Sequence, residues 1–376
     1  MEILEFYRKL ENDGYFARMM LSPNTQFGTD SEPFLGATLL PEILKEENAY
    51  SEDQIRYRTL PALDGTRYSP AQLNGSGYLV GSFKVELGDT DVASQVTAQE
   101  HEGFMKLLGR SGDIQAIAAA MGWADKTLLR PHLIKNEIQR WQAIIDCQVI
   151  RRGSNGMEEL VNYANPAGNR VNAKTGSGTV AAPTGWYGAN YDPFEQDIFP
   201  MAQFLSGKGY TVNRIICARA LAYVLARNPK VVQRTSRVTI ATGGQLSATM
   251  GQITLDELSR ITMQDSLPPI ETYDRVYRTA SGTLPFIPAN KFVMICSTGR
   301  DETIDLGDSQ VLQLQNSLGY YGIGRAAGQS APGRVVTTEV KIRKPIGLYG
   351  EAYQTGFPVI TEPEAIAVIT VNPPTP

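Results

Sequence analysis

KIRKPIGLYGEAYQTGFPVITEPEAIAVITV, residues 341–371, carries two kinds of strand within one segment. Its start completes an alternation in which Val336, Thr338, Val340 and Ile342 face one way and Thr337, Glu339, Lys341 and Arg343 the other. Period-two patterning of this kind belongs to a half-exposed strand. An aromatic loop and a proline follow. The segment closes on Ala365–Val371, a short continuous apolar run, which a strand buried on both faces requires. The tail NPPTP cannot extend a central strand, because proline offers no N–H to a ladder.

A sheet of this kind needs a cover, and residues 113–150 supply a helical one. Ile134, Ile138, Trp141, Ile145 and Val149 step by four, three, four and four, which places them on one stripe. Lys135, Glu137, Arg140, Gln142 and Asp146 lie off that stripe. Pro131 suits a first helical turn, so a break or kink is expected near it.

Between these parts lies a second α/β pattern, from about 190 to 300. Asp192-Pro193 reads as an N-cap followed by proline, opening a helix that runs to about Ser206 and is closed by Gly207. Thr211–Cys217 reads as a buried strand, Arg219–Asn228 as a helix stopped by Pro229, and Lys291–Cys296 as a strand entered through Pro288-Ala289-Asn290.

Upstream, Ile3, Phe6, Tyr7 and Leu10 recur at helical spacing, and Pro23 with NTQFGTD breaks the pattern, as in an N-terminal arm. Residues 46–76 are polar and turn-rich. Tyr78–Leu87 alternates, with Phe83 on the apolar side and Lys84 on the polar one. Residues 48–98 therefore read as a long hairpin, with Asp89 and Asp91 in a turn before the next helix.

Composition narrows the function. The chain has 376 residues, 42 % hydrophobic and 20 % charged, which fits a globular protein of two or more packed units. A net charge of −4 argues against a protein that coats nucleic acid through a basic surface. Cys147, Cys217 and Cys296 are isolated and show no CxxC spacing, as expected of core residues made in a reducing compartment. The N-terminus lacks the basic start and apolar run of a signal peptide, and no stretch reaches the roughly 20 apolar residues that span a bilayer. Only two histidines, His101 and His132, are available for acid–base work.

Chemical motifs fail on context. Gly322, Gly324 and Gly328 are followed by Pro332 and Gly333, which leave no helix to hold a pyrophosphate. Gly207-Lys208 lacks the upstream glycine of a P-loop, where Ala202 sits, and has Gly209 in place of the magnesium-binding hydroxyl. No G-x-S-x-G occurs. Glu100, His101 and Glu102, adjacent on a helix, point in different directions. No catalytic, cofactor or metal residue is assigned, and no cofactor is expected.

The order of segments (arm, long hairpin, long helix, α/β insertion, returning strands) resembles the major capsid proteins of tailed bacteriophages, most closely the family typified by the phage lambda coat protein. PFLGATLLPE (33–42) is similar to the opening segment ahead of the hairpin, and KNEIQRWQAIIDCQVIRRG (135–153) to the spine helix. TVNRIICARALAYVLARNP (211–229) and FIPANKFVMI (286–295) resemble the axial-domain strand–helix pair and the strand that leaves it. The 341–371 segment carries the likeness most characteristically.

The resemblance implies an α+β tailed-phage major capsid fold: N-terminal arm and lead-in (1–47), extended hairpin loop (48–98), peripheral domain with its spine helix on a sheet (99–189), α/β axial domain (190–300) and returning peripheral strands (301–376). It implies a non-enzymatic subunit that self-assembles into the hexamers and pentamers of an icosahedral shell. Scaffolding, portal and decoration proteins are the expected partners. Packaged DNA would be met only non-specifically on the inner face, and no membrane is involved. The subunit would be made in the host cytoplasm and end in the virion. Ile134, Ile138, Trp141, Ile145, Val149, Phe83 and Lys84 are the structural or interface candidates. Some members of the family join a hairpin lysine to a neighbour's asparagine. Lys84 is nearest that role, and no partner asparagine is matched to it. An encapsulin-like compartment shell shares the expected fold, and a carboxylate-dependent hydrolase is the enzymatic alternative.

Overall fold

The computed structural model describes residues 3–13, 34–46, 49–57, 78–86, 88–111, 113–152, 158–163, 166–173, 185–235, 253–279, 281–297, 301–305, 311–315, 318–326, 328–341 and 347–372. Among these the helices are α1 (Ile3–Asn12), α2 (Leu35–Leu39), α3 (Ala98–Ser111), α4 (Asp113–Ala124), α5 (Arg130–Asp146), α6 (Phe199–Gly207), α7 (Arg219–Arg227), α8 (Pro229–Thr235) and α9 (Leu255–Gln264). The strands are β1 (Glu42–Leu44), β2 (Ala49–Tyr57), β3 (Tyr78–Glu86), β4 (Gly88–Gln95), β5 (Gln148–Arg152), β6 (Glu158–Asn162), β7 (Arg170–Asn172), β8 (Thr211–Cys217), β9 (Ile270–Thr272), β10 (Val276–Thr279), β11 (Gly282–Pro285), β12 (Lys291–Ser297), β13 (Asp301–Asp305), β14 (Val311–Gln315), β15 (Gly319–Ile323), β16 (Arg334–Lys341), β17 (Gly347–Ile360) and β18 (Ile366–Thr370). The chain divides into two compact units: residues 1–23, 43–124 and 322–357 form the first, and 24–42, 125–321 and 358–376 the second.

One sheet has the order β1-β15-β17-β16, with β4 also pairing β17; β4, β16 and residues 347–357 of β17 lie in the first unit. β17 corrects the sequence reading. Residues expected to form an aromatic loop are a 14-residue strand, paired with β16 through Arg334↔Gln354 to Lys341↔Gly347 and with β4 through Tyr349↔Gln95 to Gly356↔Gly88. Gly347, Gly350 and Gly356 are poor strand formers. Ladders on both sides supply the hydrogen bonds that local propensity does not. Asp89 and Asp91 likewise lie in a strand, not a turn, and the Thr355 hydroxyl donates to the Asp89 carboxylate across the β17–β4 ladder. In β16, Thr337 and Glu339 are exposed and Val336, Thr338 and Val340 half-buried, as the alternation predicts. Phe6, Tyr7 and Leu10 of α1 are fully buried, and the Tyr7 hydroxyl lies 3.0 Å from His101 Nδ1 on α3.

The second unit is built on a mixed sheet of order β7-β18-β12-β8-β9. β12 runs antiparallel to both β18 and β8, while β8–β9 and β18–β7 are parallel. Centrality explains composition: Phe292–Cys296 and Ile366–Ile369 are buried throughout, each large side chain contributing about 1.5–3 kcal/mol. Cys147, Cys217 and Cys296 are buried and unbridged, and burial pushes the Cys217 and Cys296 thiols up to about 12. The helix ends obey local rules. Asp192 Oδ1 accepts from the Phe194 and Glu195 amides, as the N-cap reading expects. Thr254 and Glu257 form a capping box on α9. That helix ends in a Schellman turn, with Leu267 N donating to Thr262 O at 2.9 Å and Ser266 in the left-handed position at φ 60°. A π-helical turn, Asp125–Leu129, precedes α5, where a break near Pro131 was expected. Gly319 has no substitute, since a Cβ there would lie 2.0 Å from the Val359 carbonyl oxygen.

Among the described residues four two-stranded ribbons pair with neither sheet: β2 with β3, β5 with β6, β10 with β11, and β13 with β14. No helix among the described residues is long and apolar enough to cross a membrane.

Candidate functional site

The most strongly determined constellation of the second unit is centred on α5, and it is polar. Glu137 is 0 % exposed. Its Oε1 accepts from the Gly36 amide (2.8 Å), the Trp141 indole N–H (2.7 Å) and the Tyr273 hydroxyl (3.1 Å). Burial, reinforced by this carboxylate, pushes the Tyr273 hydroxyl well above its usual range, so it stays protonated and donates. Arg140, 1 % exposed, donates Nε–H to Leu40 O (3.0 Å) and Nη2–H to Glu42 Oε1 (3.2 Å). Its Nη1 lies 3.7 Å from Glu137 Oε2, and its guanidinium stacks 4.9 Å from the Tyr321 ring centroid. Asn136 Nδ2 donates to Glu42 Oε1 at 3.1 Å, and the Tyr321 hydroxyl to Gln139 Oε1 at 2.6 Å.

Together these bonds clasp residues 34–42 against the helix. The clasp fixes a backbone identity: a Cβ on Gly36 would meet Glu137 Oε2 at 2.7 Å. A charge buried without partners costs several kcal/mol. The three donors on Glu137 Oε1 and the two acceptors held by Arg140 therefore mark the clasp as a specific lock, although Glu137 Oε2 and Glu42 Oε2 accept no hydrogen bond from a described residue.

Of the stripe residues, Trp141 and Ile145 are buried and Ile134 and Ile138 half-buried on α5. Val149 is buried but lies in β5, one turn past the helix, which ends with Cys147 at φ 52°. The Trp141 ring is 5.7 Å from that of Tyr273, just beyond β9. Arg170 of β7 donates to Ile144 O (2.9 Å) and Ile145 O (3.0 Å), which places the helix C-terminus on the sheet. Glu137 and Arg140, off the stripe, are as buried as the stripe itself. The helix is covered on two sides, by the sheet and by residues 34–42. Nothing in its periodicity announces the second cover. The nearest signal is the i,i+3 spacing of opposite charges beside a tryptophan.

Phe83 and Lys84 lie in β3 opposite Glu52 and Ser51, and their side chains fall outside the described residues. Glu100 belongs to a cap, accepting from Thr97 N at 2.8 Å, while His101 faces Tyr7. Among the described residues no group of three or more His, Cys, Asp or Glu side chains is placed to hold a metal.

No protein-family profile matches the sequence, and no curated protein matches it. Solved structures do. One assigned as the capsid protein of an E. coli CFT073 prophage superposes with a TM-score of 0.55 at 11 % identity, covering 98 % of this chain and 99 % of the other. A phage-related protein from Bordetella bronchiseptica RB50 gives 0.49 at 12 % identity, over 90 % and 91 % of the two chains. An encapsulin from Synechococcus elongatus PCC 7942 gives 0.41 at 11 %, over 94 % and 93 %. The first of these, matched along the whole length of both chains, shows that the α+β architecture is the phage capsid-protein fold.

Proposed function

We propose that this chain is the major capsid subunit of a tailed bacteriophage, a non-enzymatic protein that assembles with copies of itself into an icosahedral shell around the genome. One observation carries the reading: a capsid-protein fold matched over 98 % of the chain, including ribbons whose strands pair only with each other among the described residues. A two-stranded ribbon is marginal in water, and an unpaired strand edge invites a partner. Neighbouring subunits are the natural cover.

In this reading residues 1–47 are the arm and lead-in, 48–98 the extended loop with β2 and β3 as its ribbon, 99–189 and 301–376 the peripheral domain, and 190–300 the axial domain. Phe83 and Lys84 sit on the ribbon that crosses to a neighbour, while Ile134, Ile138, Trp141, Ile145 and Val149 stiffen the subunit. The narrower kinship with the lambda coat-protein family rests on the order of segments. Scaffolding, portal and decoration proteins would be the partners, with DNA touched only non-specifically, and the virion the destination.

Expression of the full chain, with and without a candidate scaffold, followed by electron microscopy, tests the proposal. Pentamers, hexamers or closed shells are expected, and a monomer under every assembly condition overturns it. Shells packed with a protein cargo and no nucleic acid would favour the compartment alternative. Replacing residues 51–84 by a short Gly/Ser linker should leave a cooperatively folding subunit that no longer closes shells.

A further inference from the structure

Two surfaces of the second unit are left uncompensated in opposite senses. In the β10–β11 ribbon Val276 is paired with Pro285 and Arg278 with Thr283. Cross-strand partners share a face, and all four residues are exposed, Val276 at 57 %. On the other face Tyr277 leans on Phe286, with ring centroids 5.1 Å apart, which anchors the base of the ribbon. Residues 276–285 contain no carboxylate, and Arg278 forms no ion pair with a described residue.

The second surface is a groove of about 640 Å³ between α6, the start of β8 and the turn that ends α9. Phe199, Pro200, Ala202 and Leu267 give it apolar walls, and Glu195 and Asp265 an acidic rim. Glu195 is answered by Arg234 at 2.7 Å. Asp265 is exposed and forms no ion pair with a described residue. It is also the C-cap of α9, where the helix dipole already makes the end negative. A carboxylate there is locally unfavourable, so its compensation has to come from elsewhere.

We propose that the β10–β11 ribbon of one copy seats in this groove of the next. Val276 and Pro285 lie against Phe199 and Leu267, and the Arg278 guanidinium on the Asp265 carboxylate. Each surface supplies what the other lacks: an apolar, cationic projection without acid, and an apolar-walled hollow whose acid Asp265 has no described ion-pair partner. Because two different patches meet, the contact is heterologous and propagates from copy to copy until a ring closes. This deepens the shell reading and rests on it.

The test is reciprocal charge exchange in the full chain, under conditions in which the unsubstituted chain assembles. Arg278→Glu and Asp265→Arg singly should each lower the assembled fraction roughly tenfold or more, because like charges then face each other, while the thermal midpoint of the subunit stays unchanged. The double variant should recover assembly to within about twofold, since a swapped pair keeps its attraction. Independently, a Val276→Cys, Ala202→Cys chain should give disulfide-linked multimers on oxidation during assembly, and neither single cysteine variant should. Single variants that assemble normally, a double variant that is not rescued, or a missing disulfide ladder each overturn the docking and leave the shell reading intact. An unsubstituted chain that never assembles overturns both.

Discussion

Around α5, Glu137 and Arg140 are withdrawn from water and answered by groups of the same chain, Gly36, Leu40, Glu42, Trp141 and Tyr273. Along β10 and β11 the reverse holds: Val276 and Leu284 stay 57 % and 46 % exposed and the ribbon pairs only itself. One region is closed off from water and the other is exposed to it. The buried ionic clasp ties residues 34–42 to α5, whereas the β10–β11 ribbon keeps Val276 and Leu284 in water.

The contrast is most severely tested by breaking the closed region. Trp141→Ala should cost about 3–5 kcal/mol, through the cavity it leaves and the Glu137 bond it removes. Arg140→Ala should cost a similar amount, about 3–5 kcal/mol, because Glu42 and Glu137 are left as buried, uncompensated charges. Both are read from urea midpoints, and a change near zero would mean that the clasp is not part of the cooperative core. Gly36→Ala comes next, at about 1–3 kcal/mol of overpacking against Glu137.

Tyr7→Phe probes the first unit more gently. Burial, with Glu100 nearby, pushes the Tyr7 hydroxyl up to about 12, so it stays protonated at neutral pH, 3.0 Å from His101 Nδ1. Its removal should cost about 0.5–1.5 kcal/mol in the same denaturation. At the far end of the scale, Leu284→Ser on the open ribbon should shift stability by no more than about 0.5 kcal/mol. A larger loss would show that the ribbon belongs to the subunit core.

How much of this was readable beforehand differs by element. The buried strands β12 and β18 were legible because a strand covered on both faces must be apolar at successive positions; β8, read as buried, is continuously so only over Ile215–Cys217, with Thr211 and Asn213 exposed. The cap at Asp192 was legible because it is a local hydrogen-bond pattern. β17 was not, because glycines in a central strand look like loop punctuation until partners are present on both edges. Val149 was placed on the helix because a four-residue step fits that period, whereas the chain turns at Cys147 and the residue is buried from a strand instead.

The sequence by itself determined the capsid-protein architecture in its order of segments, the alternation of β16, the apolar face of α5 and the absence of a recognisable catalytic motif, since each is written in local pattern and composition. Only the tertiary structure decided that Glu137 and Arg140 are interior, that a Cβ at Gly36 would crowd the Glu137 carboxylate, and that Asp265 and Arg278 stand without described partners. Those facts depend on which segments meet, residues 34–42 on a helix about a hundred positions later, and no periodicity within either segment encodes its distant partner.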